Sequence, residues 1–247
     1  MKLLCALALG GMAMVMAGPA SATTGCNKQL FFISSDTGVI AWQSPRFDSP
    51  RDPNSSRLAV HVLRQDGDDY AIAYSKCSGA ENRLVGQLRN LSFEFLNQTG
   101  EPSVHIGNGA PRYSVDIDQF GDGSYNFSAF LSGFHCNEPM AENTQWSRAD
   151  FTGRLLAGCS IFVNNVQYTS DGVKSAWRLY ADANPTDKVI GIGPAYLVFD
   201  EDGFDPNTQD QDGATAFVDR LAFHNIMYVA SGTGSAAVKT CPNESSC

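Results

Sequence analysis

A chain of 247 residues that is 43% hydrophobic and 17% charged has the make-up of a globular protein with material for a sizeable core. Its formal net charge is −9, and its 17 Lys and Arg residues are spread thinly. That excludes a nucleic-acid partner held by phosphate neutralisation and disfavours an anionic membrane surface.

Read from the N-terminus, the chain opens on an expected export signal. Lys2 supplies a positive start, Leu3 to Met16 is an apolar run, and Ala20-Ser21-Ala22 offers small residues to a signal peptidase. The run is too short to span a bilayer, and no later stretch reaches the ~18 apolar residues that a membrane helix needs. The expectation is residues 1–22 as signal peptide and 23–247 as a single monomeric domain, secreted to an extracellular or periplasmic space. Cys5 leaves with the signal, and the other six of the seven cysteines form an even set: Cys26, Cys77, Cys136, Cys159, Cys241 and Cys247. In an exported chain that reads as three disulfides, open among about 15 connectivities. The shortest loops favour Cys26–Cys77, Cys136–Cys159 and Cys241–Cys247. No close Cys or His pairing suits zinc instead.

Strand-like runs separated by turn residues fill the rest. Leu30 to Ile33 comes first, ended by Asp36-Thr37-Gly38, and a Pro- and Ser-rich loop follows from Ser44 to Ser56. Leu58 to Leu63 and Tyr70 to Tyr74 flank Asp66-Gly67-Asp68 and read as a hairpin. Leu91, Phe93 and Phe95 alternate with Ser92 and Glu94, the period of a half-buried strand. Tyr113, Val115 and Ile117 alternate with Ser114, Asp116 and Asp118. Gly121-Asp122-Gly123 then turns the chain into Tyr125, Phe127 and Ala129, which makes the clearest hairpin. Ser160 to Val163, Val189 to Ile192, Ala195 to Asp200 and Ala214 to Phe223 bring the total to about ten strands. That pattern indicates a mainly β fold, a jelly-roll type β-sandwich.

One helix covers it, over about 172–183. Val173, Ala176, Trp177, Tyr180 and Ala181 share one helical face, Ser170 or Thr169 caps the start, and Asn184-Pro185 stops it. Trp177 thereby belongs to the core. Five N-x-Ser/Thr sequons occur, at Asn54, Asn90, Asn97, Asn126 and Asn243.

The segment Asp200 to Gly213 carries six carboxylates in fourteen residues. Asp200, Asp202, Asp205, Asn207, Asp210 and Asp212 are candidate ligands for a structural calcium, a hard cation that takes oxygen donors. The EF-hand spacing fails, because Asp210 stands where its glycine belongs and Ala216 where its last glutamate does. Asp219 is the other anomaly. It shares strict alternation with Phe217, Leu221 and Phe223, so a core-facing strand there places a carboxylate inside, where it requires a partner.

The run from Ala214 to Phe223, apolar-x-Asp-x-apolar-x-Phe after an acidic loop, resembles the closing strand of galactose-binding-like jelly-roll domains. The resemblance covers about ten residues, and Arg220 stands where the pattern has a second acidic residue. It implies a carbohydrate-binding-module type of fold, often with structural calcium, and no binding residues.

For sugar binding, Trp42 and Trp146 lie in loop-like contexts and are the candidate ligand platforms. The expected partner is an extracellular glycan or cell-surface polymer. A hydrolase or lyase of polysaccharide is the alternative, and Asp116 with Asp118 is the local carboxylate pair it could use. A structural surface protein is the third. No catalytic residue is assigned, because His61, His105, His135 and His224 fall in no nucleophile or metal motif and G-x-S-x-G is absent.

Overall fold

A computed structural model describes residues 30–34, 39–43, 59–63, 70–75, 79–97, 112–136, 146–153, 159–190, 196–200, 215–231 and 235–240. In chain order the elements are β1 (Leu30–Ser34), β2 (Val39–Gln43), β3 (Ala59–Leu63), β4 (Tyr70–Ser75), β5 (Ser92–Asn97), β6 (Arg112–Asp118) and β7 (Phe127–Ser132). There follow β8 (Trp146–Asp150), β9 (Ser160–Val163), β10 (Val166–Thr169), α1 (Ala176–Ala183), β11 (Lys188–Val189), β12 (Tyr196–Asp200), β13 (Thr215–Phe223), β14 (Ile226–Ser231) and β15 (Ser235–Thr240).

Among the described residues these strands make two antiparallel sheets. The larger has eight strands, in the order β1-β4-β12-β6-β7-β9-β10 with β11 on β6. The smaller has seven, in the order β15-β14-β13-β3-β2, with β5 between β13 and β8. The chain passes between the sheets from β1 to β2, β3 to β4, β4 to β5, β5 to β6, β7 to β8, β8 to β9 and β12 to β13, as a jelly-roll sandwich does. One apolar cluster joins Phe93, Phe95, Val218, Leu221 and Phe223 of the smaller sheet to Tyr113, Val115, Ile117 and Leu131 of the larger. Phe93 and Tyr113 meet edge to face at 5.2 Å between centroids, the geometry that ring quadrupoles favour. No helix among the described residues is long and apolar enough to cross a membrane.

The hairpin of β6 and β7 forms as the alternation predicts, with Ile117 opposite Phe127. The expected pairing of Leu58–Leu63 with Tyr70–Tyr74 does not. β3 pairs with β2 and β13 in the smaller sheet, while β4 pairs with β1 and β12 in the larger. Two apolar runs around a D-G turn satisfy either arrangement locally, and packing between sheets decides. A tight turn does join β9 to β10, through Asn164 and Asn165 at φ of 47° and 63°. Asparagine tolerates the left-handed region that a two-residue hairpin needs.

Helix α1 starts later than its periodicity predicts. Ser175 is the N-cap, its hydroxyl accepting from the Arg178 amide, and Val173 is 76% exposed before the first turn. Asp171 explains the shift: its carboxylate accepts from the amides of Val173 (2.8 Å) and Lys174 (2.6 Å), holding the chain in a turn up to the cap. Asn184 ends the helix before Pro185, as expected. Trp177 is fully buried, and its indole N–H donates to the Val85 carbonyl at 2.9 Å. Arg178 reaches the Gly86 carbonyl from the same helix. The helix is thereby locked to the short turn at Val85–Gln87 as well as to β10, where Tyr168 meets Tyr180 at 5.4 Å. Cys136 and Cys159 form a disulfide that ties the end of β7 to the start of β9. The other four cysteines of the mature set, Cys26, Cys77, Cys241 and Cys247, lie outside the described residues.

Candidate functional site

Because Tyr113, Val115 and Ile117 point into the core, Arg112, Ser114, Asp116 and Asp118 are left on the opposite face of the larger sheet. Cross-strand register extends that face. Arg112 is opposite Ser132, Ser114 is opposite Phe130, Asp116 is opposite Ser128, and Phe130 is in turn opposite Phe162 of β9. The result is a sheet face on which aromatic rings alternate with groups that hydrogen-bond.

Three contacts organise it. The Arg112 guanidinium lies over the Phe130 ring, 4.7 Å from the centroid, a cation–π arrangement that fixes a long side chain in one place. Ser128 donates to the Asp116 carboxylate at 2.7 Å. Partial burial pushes the Asp116 carboxyl above the usual carboxylate range, and the Ser128 bond pulls it part of the way back. His135 packs on Phe162 at 4.9 Å, and burial holds its imidazole below its ordinary ionisation range, which keeps it neutral at pH ~7. At the hairpin tip Phe120 and Tyr125 are 74% and 60% exposed, and Phe130 on the sheet is 38% exposed. Tyr125 reaches toward Ser128, with 3.4 Å between the hydroxyls.

Asp118 is not part of a wet catalytic pair with Asp116. It is buried, and its two oxygens accept from the amides of Gly121 (2.6 Å), Asp122 (3.3 Å) and Gly123 (2.8 Å). Its role is to hold the tip that presents Phe120 and Tyr125. A buried carboxylate held by three amide donors is committed to the tip and is not the solvent-facing partner for Asp116 that a two-carboxylate site needs.

Alternation hides a second cluster, on the outer face of the smaller sheet. Arg220 adopts φ of 51°, and the pairing of β13 with β5 shifts register between Asp219 and Ala222. This bulge reverses the alternation, so Leu221 and Phe223 share the core with Val218 while Asp219 lies on the other side. The strict alternation that puts Asp219 on the face of Leu221 and Phe223 is therefore corrected. Asp219 is nonetheless 1% exposed, and the residue opposite it, Glu94, is 2% exposed rather than on a wet face. Glu94 faces Arg148 on its other flank and has Arg220 Nε at 3.6 Å. Arg148 also bridges Ser92 Oγ at 3.2 Å and the Asp150 carboxylate at 3.1 Å. Two carboxylates this deeply covered have no access to a polymer, and for Glu94 the neighbouring Arg220 guanidinium supplies the compensation that buried charge requires.

Of the residues expected to bind, Trp42 falls in β2 opposite Val60, and Trp146 opens β8 opposite Leu96. Both are strand residues in the smaller sheet, so the loop contexts expected for them are corrected. Asp200 ends β12. The other expected calcium ligands, Asp202, Asp205, Asn207, Asp210 and Asp212, lie outside the described residues. Among the described residues no group of three or more His, Cys, Asp or Glu side chains is placed to hold a metal ion. The face built on Arg112, Asp116 and Phe130 was missed as a site, although the polar half of the 112–118 alternation was its signal. No family model, curated protein or solved structure matches this chain.

Proposed function

We propose that this chain is an exported, non-catalytic binding protein whose target is a carbohydrate or cell-surface polymer, held on the outer face of the larger sheet. The observation that carries the reading is the sharing of one sheet face by Phe130, Phe162, Arg112, Asp116 and Ser128, beside the exposed Tyr125. Pyranose rings present C–H faces that pack on aromatic side chains and hydroxyls that the half-buried Asp116 carboxylate and Ser128 can order, while the Arg112 guanidinium, itself buried, holds the Phe130 ring. The loss of Asp118 to the hairpin tip favours binding over hydrolysis at this face. A structural calcium in the 200–212 segment, a galactose-binding-like fold and cleavage after Ala22 belong to the same proposal, supported by the sequence.

A glycan array followed by affinity electrophoresis tests it, with Tyr125→Ala and Asp116→Asn beside the wild type. Tyr125 is exposed and Asp116→Asn is isosteric, so the fold should survive both. Each is expected to weaken binding about tenfold, the equivalent of one charge-assisted hydrogen bond or one stacked ring. Wild-type affinity in both variants, or no glycan bound by the wild type, refutes the reading. Release of reducing sugar from mixed polysaccharides would move the chain to the hydrolase or lyase class instead.

A further inference from the structure

We propose that the larger sheet binds an uncharged, ribbon-like polysaccharide stretched across its strands, one sugar unit to each strand. This deepens the reading above and rests on it. The observation is a single register row that crosses the seven strands from β1 to β10. Phe31 of β1 is opposite Tyr74 of β4, which is opposite Tyr196 of β12. Tyr196 is opposite Ser114 of β6, and Ser114 is opposite Phe130 of β7. Phe130 is opposite Phe162 of β9, and Phe162 is opposite Gln167 of β10. The residues next to the row are packed in or against the core in one strand after another: Phe32, Ala73, Tyr113, Ala129, Ile161 and Tyr168. Successive strand positions face opposite ways, so the row lies on the outer face. Five of its seven positions are aromatic, and Phe130 is open to solvent.

Direction and charge choose the occupant. Strands lie ~4.8 Å apart, so the row runs for about 29 Å, and one step along it is close to the length of one pyranose unit in an extended chain. A polymer crossing the strands therefore meets a new row position with each sugar. One running along β6 would meet Arg112, Ser114 and Asp116, with no ring among them. Aromatic rings pack on the flat C–H faces of sugars, and a ribbon of equatorially linked units turns such a face to the sheet at every step. No row position is charged at pH ~7. Beside the row the Arg112 guanidinium is buried against Phe130, and Ser128 holds the Asp116 carboxylate. A polyanion would find no cation on this row and would have to approach a chain of net charge −9.

The test titrates the full-length protein by calorimetry with β-1,4-linked glucose, mannose and N-acetylglucosamine oligomers, each from dimer to octamer. In at least one series affinity should climb with each added unit and level off at about six or seven, the strand count of the row. The hexamer should bind at least about tenfold more tightly than the trimer. Phe162→Ala and Tyr196→Ala should each weaken the hexamer about tenfold, and Gln167→Ala, at the exposed end of the row, about threefold. Val173→Ser, in the turn before α1, should change nothing. Gln167→Ala decides the matter should a ring variant fail to fold. Trimer and hexamer bound alike, or a hexamer indifferent to all three row variants, overturn the row; if Asp116→Asn still weakens binding, the reading of the face stands. Polygalacturonate or dextran sulfate bound more tightly than every neutral series overturns the row in the same way. If no saccharide binds, both fall, and a dimer that Phe162→Ala dissociates then gives the face to a second copy of the chain.

Discussion

Acidification is the perturbation to which His224 should respond most sharply. Burial, and then the charges of Arg83 and Arg89, lower its ionisation from an ordinary 6.5 to about 4 in the folded chain. In the unfolded chain the imidazole titrates near its ordinary value. Above pH ~6.5 both states are neutral and the group contributes no pH dependence. Between about 6.5 and 4 the unfolded chain takes up a proton that the folded chain refuses, so stability falls with pH across that window and levels off below it. The full span is worth at most about 3–4 kcal/mol at ~1.4 kcal/mol per unit. The two arginines are exposed and solvent screens their share, so a loss of about 1–2 kcal/mol by pH ~5 is the expectation. Urea unfolding at pH ~7 and ~5, at fixed ionic strength, measures it. His224→Asn is the reference, because asparagine tolerates the left-handed φ of 56° at this position and does not titrate. The wild type should lose about 1–2 kcal/mol relative to this variant between the two conditions. Asp116 and Asp187, whose carboxyls burial raises, act in the opposite sense in both proteins and cancel from the comparison. A difference between wild type and variant that stays constant within ~0.5 kcal/mol would show that the ring is not held neutral by its surroundings.

Other expectations are simpler to check. Replacing both Cys136 and Cys159 by serine opens a loop with a sequence separation of 23 and should cost about 3 kcal/mol, while unreduced peptide mapping of the wild type recovers the pair linked. Ser175→Ala should cost about 1 kcal/mol through the lost cap, and Ser170→Ala less than about 0.5 kcal/mol; the reverse order would restore the earlier helix start. Thermal melts in EDTA, CaCl₂ and MgCl₂ test the acidic segment from Asp200 to Asp212. Calcium at a hundredfold excess over its Kd should add about 2.7 kcal/mol and magnesium less, and identical melts in EDTA and calcium would remove the cation.

Local periodicity carried the reading of the fold furthest where neighbours in sequence are also neighbours in space. The β6–β7 hairpin and the Trp177 face of α1 follow directly from alternation at two and at near four residues. It failed where distant segments decide. β3 and β4 part into different sheets, which no turn signal between them reveals. A single left-handed residue, Arg220, moved Asp219 from one face of its strand to the other. Both faces of β5 and β13 are covered there, so Glu94 lies buried although its alternation with Phe93 and Phe95 reads as half-wet. The candidate sheet face was half legible. Arg112, Ser114 and Asp116 stand out as the polar half of a strand, but their juxtaposition with Phe130 and Phe162 depends on a register that only the folded sheet supplies.

The bond from Asn90 Nδ2 to the His224 carbonyl bears on how the protein can be produced. That nitrogen is the atom an oligosaccharyltransferase would modify in Asn90-Leu91-Ser92, and in the fold Asn90, Leu91 and Ser92 are all buried. A glycan placed there on the nascent chain would leave the carbonyl without its donor and hold the segment before β5 away from the β13–β14 turn. Modification and folding at this position exclude each other. In a glycosylating host, the secreted product should therefore carry an unmodified Asn90, and chains tagged there should be retained by quality control.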